Sequence, residues 1–194
     1  ALVAMTIAIA ANAQVIALYG MVTALAAPML FAVPPERTPI AYLVIVLAGA
    51  TGISIARGWA WLPPVAFVLT TTQFLFWFWA GERDTSELAQ IIAISGLSLL
   101  HLIAAIGIDV WARSLGPRAI AMLVLFLNAL AYTAVGVAVF FDDWTALGFF
   151  LLAGAGAHVM VGGFSVRIRG RATAVVLSTF GIGGILLTGA VPSY

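Results

Sequence analysis

The sequence predicts an all-α, polytopic transmembrane helix bundle of about seven spans, with part of an earlier helix at its N-terminus. Three observations carry that prediction. Of 194 residues, 64% are hydrophobic and 8% charged, where a soluble domain is about half apolar and a quarter charged. The charges gather in short clusters between apolar runs of about 20 residues, the length that crosses roughly 30 Å of hydrocarbon at 1.5 Å per residue. Proline, glycine and tryptophan punctuate the ends of those runs.

The elements follow in order. Residues 1–11 are apolar but reach only about 16 Å, so they read as the end of an earlier helix. The chain begins with Ala, and no basic stretch precedes the apolar run, which argues against a signal peptide and for a segment of a longer protein. Spans are expected at 15–32, 39–56, 59–80, 88–110, 119–141, 144–166 and 172–191. The Pro34-Pro35-Glu36-Arg37-Thr38-Pro39 stretch cannot continue a helix and separates the first two spans. Pro63 and Pro64 sit in a first turn, where missing N–H groups cost least. Asp84-Thr85-Ser86-Glu87 has the N-cap acid followed by Glu that opens a helix. Leu115-Gly116-Pro117 and Arg169-Gly170-Arg171 mark further turns. All six Trp residues fall at expected span ends, where an amphipathic ring favours the headgroup layer.

Charge sets the expected orientation. Alternate turns put Arg57, Arg113, Arg118, Arg167, Arg169 and Arg171 on one side, near Asp109. The other side holds only Arg37 and Arg83, with Glu36, Glu82, Asp84, Glu87, Asp142 and Asp143. The positive-inside rule then places the Arg-rich turns in the cytoplasm and the C-terminus in the periplasm of a bacterial inner membrane.

Composition also excludes several functions. A net charge of +1 offers no basic field for nucleic acid. Cysteine is absent, so disulfides and thiolate sites are excluded, and all eight basic residues are Arg, so no Lys exists for a Schiff base. No GxSxG, HExxH or P-loop occurs, and no carboxylate pair lies at membrane depth. The sequence carries no evident catalytic set.

What remains is polar chemistry inside the spans, where an ionisable side chain is costly and marks a candidate site. The polar residues there are Gln73, Gln90, His101, Asn128, Tyr132 and His158. His101 and His158 lie 13 and 14 residues from the outer starts of their spans, and Asn128 lies 13 from its outer end. At 1.5 Å per residue all three sit roughly 20 Å deep. Helical spacing puts Ser95, Ser98, His101, Ala105 and Asp109 on one face. Gly154, His158, Gly162 and Ser165 form another such face; Asn128, Tyr132 and Gly136 form a third; Ser178, Gly181, Gly184 and Thr188 form a fourth. Small residues admit a neighbouring backbone, and polar ones then bond across the contact. Each of these four stripes is therefore expected to point into the bundle.

The plain reading of the stripes is packing, and of Asn128, Tyr132, His101 and His158, interhelical hydrogen bonding. A sharper reading makes Ser98, His101, Asn128 and His158 the lining of a transport path. Another gives His101 and His158 to a haem b or quinone-associated electron-transfer site, which needs two imidazoles facing one cavity. A metal site is not expected, since three or four ligands are wanted, and no cofactor is predicted. Arg167, Arg169 and Arg171 either anchor topology or contact anionic lipid headgroups. The expected partners are the lipid bilayer and other membrane subunits, or helices of the same chain that this segment lacks.

Several stretches taken together resemble a known family. They are Leu18-Tyr19-Gly20-Met21-Val22-Thr23-Ala24-Leu25-Ala26-Ala27-Pro28, Ala41-Tyr42-Leu43, Arg57-Gly58-Trp59-Ala60-Trp61-Leu62, Phe76-Trp77-Phe78-Trp79, Leu127-Asn128-Ala129-Leu130-Ala131-Tyr132 and Ala190-Val191-Pro192. Their order is similar to that in a bacterial family of large polytopic membrane proteins, the domain-of-unknown-function family numbered twenty-three thirty-nine. The resemblance covers most of this chain and part of a full-length member. It implies an inner-membrane protein with further spans, and supplies no reaction and no catalytic residues. The function expected is that of an accessory or scaffold subunit of a membrane complex.

Overall fold

The computed structural model describes residues 13–30, 40–80, 87–111 and 115–191, with Ile7 alone ahead of them. Among these residues every regular element is a helix: α1 Gln14–Leu30, α2 Ile40–Arg57, α3 Leu62–Ala80, α4 Glu87–Trp111, α5 Leu115–Val139, α6 Trp144–Arg169 and α7 Ala174–Gly189. Three stretches, Gln90–Val110, Arg118–Val139 and Trp144–Arg169, are long and apolar enough to cross a membrane. The remaining helices have 16 to 19 residues and reach about 24–28 Å. Large apolar side chains on the long helices face outward, as Leu130, Phe149 and Met160 do at two-thirds exposure or more. That surface suits hydrocarbon rather than water. The third helix ends at Ala80 as expected; the expected cap at 84–86, the proline turn at 34–39, Arg113 and Pro192 lie outside the described residues, as does the stretch 1–12 apart from Ile7.

The chain forms two compact units, residues 1–100 and 101–194, with α4 passing from one to the other. In the first unit, α1, α2 and α3 each pack on the other two. Tyr42 on α2 donates its hydroxyl to the Ala24 carbonyl at 2.7 Å. Trp61 donates its indole N–H to Gln14 Oε1 at 3.0 Å. The α2–α3 turn closes because Gly58 takes φ 67°, a left-handed conformation that costs glycine little. Trp59 then donates its backbone N–H to the Ser54 carbonyl at 3.1 Å. Trp59 is 4% exposed, so this ring is a packing residue, not the headgroup-layer ring expected from its position. Leu62 opens α3, with Pro63 and Pro64 in the first turn as expected.

The second unit contains the end of α4 from His101 onward, with α5, α6 and α7. Asp143 caps α6 by accepting from the Ala146 N–H at 2.9 Å. Gly170, at φ 68°, closes its other end by donating to the Val166 carbonyl. Thr173 then caps α7, so α6 and α7 form an antiparallel hairpin across four residues, Gly170, Arg171, Ala172 and Thr173. The hairpin is close: a Cβ on Gly183 would lie 3.3 Å from the Ala155 carbonyl oxygen. Helix α5 begins at Leu115, four residues before its expected start, with Pro117 accommodated in the first turn.

Three of the four small/polar stripes face inward as expected. Ser98, His101, Ala105 and Asp109 on α4 are buried, with Ser95 half-buried; Asn128, Tyr132 and Gly136 on α5 are buried, and so are Gly154, His158, Gly162 and Ser165 on α6. The fourth expectation fails. On α7, Gly181, Gly184 and Thr188 are exposed and Ser178 is half-buried, while Val175, Val176, Thr179, Ile182, Gly183 and Leu186 form the buried face. Helix α7 has no charged side chain and carries hydroxyls on both sides, Thr179 inside and Thr188 outside, so its inner face is marked by the close approach of Gly183 to α6 and not by a polar stripe.

Candidate functional site

The polar residues of the second unit meet along α5 and α6, two antiparallel helices held in a readable register. A Cβ on Gly136 would lie 2.5 Å from the Phe150 ring, and one on Gly154 2.6 Å from the Tyr132 ring. Each glycine thus makes room for an aromatic ring on the facing helix. Tyr132 stacks on Phe150 with centroids 4.0 Å apart and an interplanar angle of 8°. Its hydroxyl donates to the Phe150 carbonyl at 2.9 Å. This is a polar contact across two helices of the kind a membrane interior favours.

Moving one turn along each helix, the same register sets Asn128 on α5 level with His158 on α6. Both are buried, at 3% and 2% exposure. His158 Nδ1 lies 2.8 Å from the Gly154 carbonyl oxygen. A carbonyl only accepts, so Nδ1 carries the proton and Nε2 carries a lone pair. That Nε2 is buried without a hydrogen-bond partner among the described residues. An imidazole in this tautomer can accept one hydrogen bond or donate its lone pair to a metal, with the backbone carbonyl fixing the ring as it does for metal-bound histidines. His101 is equally buried, on α4 one turn beyond Ser98. Among the described residues no three His, Asp or Glu side chains gather where they would hold a metal ion.

A second polar cluster lies at the Arg-rich end, where the sequence placed Asp109 on an inward face without naming its partners. Asp109, near the end of α4, has a fully buried side chain. Its Oδ1 is 3.3 Å from Arg118 Nε on α5. Its Oδ2 accepts the Thr173 hydroxyl at 2.6 Å, and Thr173 Oγ1 in turn accepts from the Val176 N–H at 3.3 Å. Arg169, at the end of α6, donates to the Val110 carbonyl. Four helix ends are therefore tied at one place: those of α4 and α6, and the starts of α5 and α7. The carboxylate neutralises Arg118 and completes the α7 cap in the same step. Of the three arginines read as headgroup contacts, Arg167 and Arg171 are exposed, whereas Arg169 is half-buried and bonded within the protein.

In the first unit, Gln73 is 2% exposed and both its amide atoms lack partners among the described residues. Thr51 Oγ1 is in the same condition. Gln90 is half-buried at the start of α4.

Compared with family models, curated proteins and solved structures, the chain matches none.

Proposed function

We propose that this chain is a non-enzymatic integral subunit of a bacterial inner-membrane complex, acting as a scaffold in the bilayer. The observation that carries this reading is the use made of buried polar groups. Tyr132 bonds to the backbone of α6, and Asp109 to Arg118 of α5 and to Thr173, the cap of α7. Side chains spent on joining helices support a fixed frame, whereas a transport path past Ser98, His101, Asn128 and His158 needs groups open to passing solute. The proposed orientation follows the positive-inside rule, with the Arg118–Arg169 end cytoplasmic and the Asp142–Asp143 end periplasmic. Exposed Arg167 and Arg171 then meet anionic headgroups of the inner leaflet. The resemblance to the large polytopic family agrees with a frame that neighbouring helices complete.

Purification from native membranes in mild detergent tests the proposal. A membrane partner, or a longer form of the same chain, is expected at fixed stoichiometry. A chain that elutes alone and conducts a solute in proteoliposomes, with flux removed by His158→Gln, would overturn it.

One observation favours a second reading, a ligand-binding electron-transfer subunit. The His158 lone pair is presented by a tautomer that the Gly154 carbonyl fixes, as for an axial haem b ligand. A Soret band in the purified protein is the result that reading requires.

A further inference from the structure

At the Asp142–Asp143 end of the second unit, the α6–α7 hairpin leaves a groove of about 370 Å³. Trp144, Thr145, Phe149 and Leu152 line it from α6, and Leu187 and Val191 from the end of α7 and the residues after it. Its floor is a close approach of backbone, since a Cβ on Gly148 would lie 2.8 Å from the Ala190 carbonyl oxygen. Trp144, Phe149 and Val191 are about two-thirds exposed. The groove spans from the first residue of α6 past the last of α7; with α6 as a membrane span, that end falls where hydrocarbon gives way to headgroups.

Size and charge select the occupant. A helix about 10 Å across rises 1.5 Å per residue, so this volume holds only about three residues of one. It falls within the range of small-ligand pockets. The lining is apolar apart from two donors, the Trp144 indole N–H and the Thr145 hydroxyl, which suit phosphate or ester oxygens. Immediately before Trp144 stand Asp142 and Asp143, both exposed, and no basic residue occurs at 139–148 or 187–191. Asp143 uses one oxygen in the α6 cap and keeps its charge, so the rim carries two exposed carboxylates, of which Asp142 has no capping role. An acidic rim over an apolar groove attracts an ammonium headgroup and repels an anionic one.

We propose that this groove binds a zwitterionic phospholipid with a primary-amine headgroup: one acyl chain lies along Phe149, Leu152 and Leu187, and the ammonium lies at Asp142. The proposal rests on membrane insertion alone and stands whether or not the scaffold role holds.

The test is a lipid titration of the delipidated full chain, followed by native mass spectrometry. The probes are dioleoyl phosphatidylethanolamine and dioleoyl phosphatidylglycerol. The ethanolamine lipid is expected to bind about fivefold more tightly, the effect of about one surface charge. Asp142→Asn should narrow the difference between the two lipids, with the Asp143 charge still in place, while leaving binding itself. Thr145→Trp and Leu152→Trp fill the groove from its exposed rim, where folding is least disturbed, and each should weaken binding about tenfold with an unchanged melting temperature. Equal binding of both lipids by the unaltered protein would overturn the headgroup assignment. Binding indifferent to both tryptophan variants would overturn the site, and so would a second polypeptide retained on the native protein and lost in those variants.

Discussion

The ring of Tyr132 occupies the volume that a side chain at position 154 would need: a Cβ there would lie 2.6 Å from Cε1 of Tyr132. The ring cannot step aside, because it is stacked on Phe150 and its hydroxyl is bonded to the Phe150 carbonyl. Gly154 also offers the carbonyl that fixes His158. One residue without a side chain therefore sets both the α5–α6 spacing and the orientation of a buried imidazole.

Gly154→Leu should accordingly cost about 1–3 kcal/mol or more through overpacking. Leu152→Ala, at a position 46% exposed, should cost less than about 1 kcal/mol, because lipid replaces the lost contact. Thermal unfolding in detergent measures both. If the glycine variant were the milder, α5 would not be packed on α6 at this point.

His158→Gln and His101→Gln should each lower stability by about 0.5–2 kcal/mol, as expected for polar contacts between membrane helices. Both variants should fold, and their absorption spectra should match that of the parent. A cofactor band lost in either variant would move that histidine from a structural role to a ligand.

The Asp109–Arg118 pair should respond asymmetrically. Arg118→Leu leaves a wholly buried carboxylate with only the Thr173 hydroxyl, a change worth about 3–5 kcal/mol. Asp109→Leu leaves an arginine whose side chain is 24% exposed and can turn to water, so its cost should stay near about 1–2 kcal/mol. Thr173→Val removes both a cap and a carboxylate bond and should fall in the same lower range. Equilibrium unfolding of the three variants gives the order. Equal losses for Arg118→Leu and Asp109→Leu would mean that the carboxylate reaches solvent.

The proposed orientation predicts that a reporter fused at Asp142 reads as periplasmic and one at Gly170 as cytoplasmic. The opposite pattern would invert the orientation. The same side for both would remove α6 as a span.

The helices were legible because their ends are marked by chemistry that acts locally. Asp143 before Trp144, Gly170 after Arg169 and the proline pair after Leu62 each stop or start a helix within one turn. The α4, α5 and α6 stripes were legible because Gly, Ser, Asn and His stand out among large apolar neighbours. The α7 stripe was not, because polarity does not decide which side turns inward in a helix with Thr179 on one side and Thr188 on the other. That depends on where its partner comes closest, and Gly183 is distinguished from Gly181 and Gly184 only by what it faces. The Asp109 cluster was hidden for a different reason. Its members lie in separate turns, with Thr173 64 positions after Asp109, so spacing could turn Asp109 inward but nothing local pointed to Arg118 or Thr173.

That separation has a consequence for biogenesis. A ribosome delivers α4 and α5 long before Thr173, so a nascent chain holds Asp109 with Arg118 and lacks the hydroxyl that completes its bonding. The Arg169 contact to Val110 and the Thr173 contact to Asp109 form only when the last hairpin arrives. A chain truncated after α5 therefore keeps Asp109 with Arg118 alone, and the last hairpin is what completes the bonding of that acid.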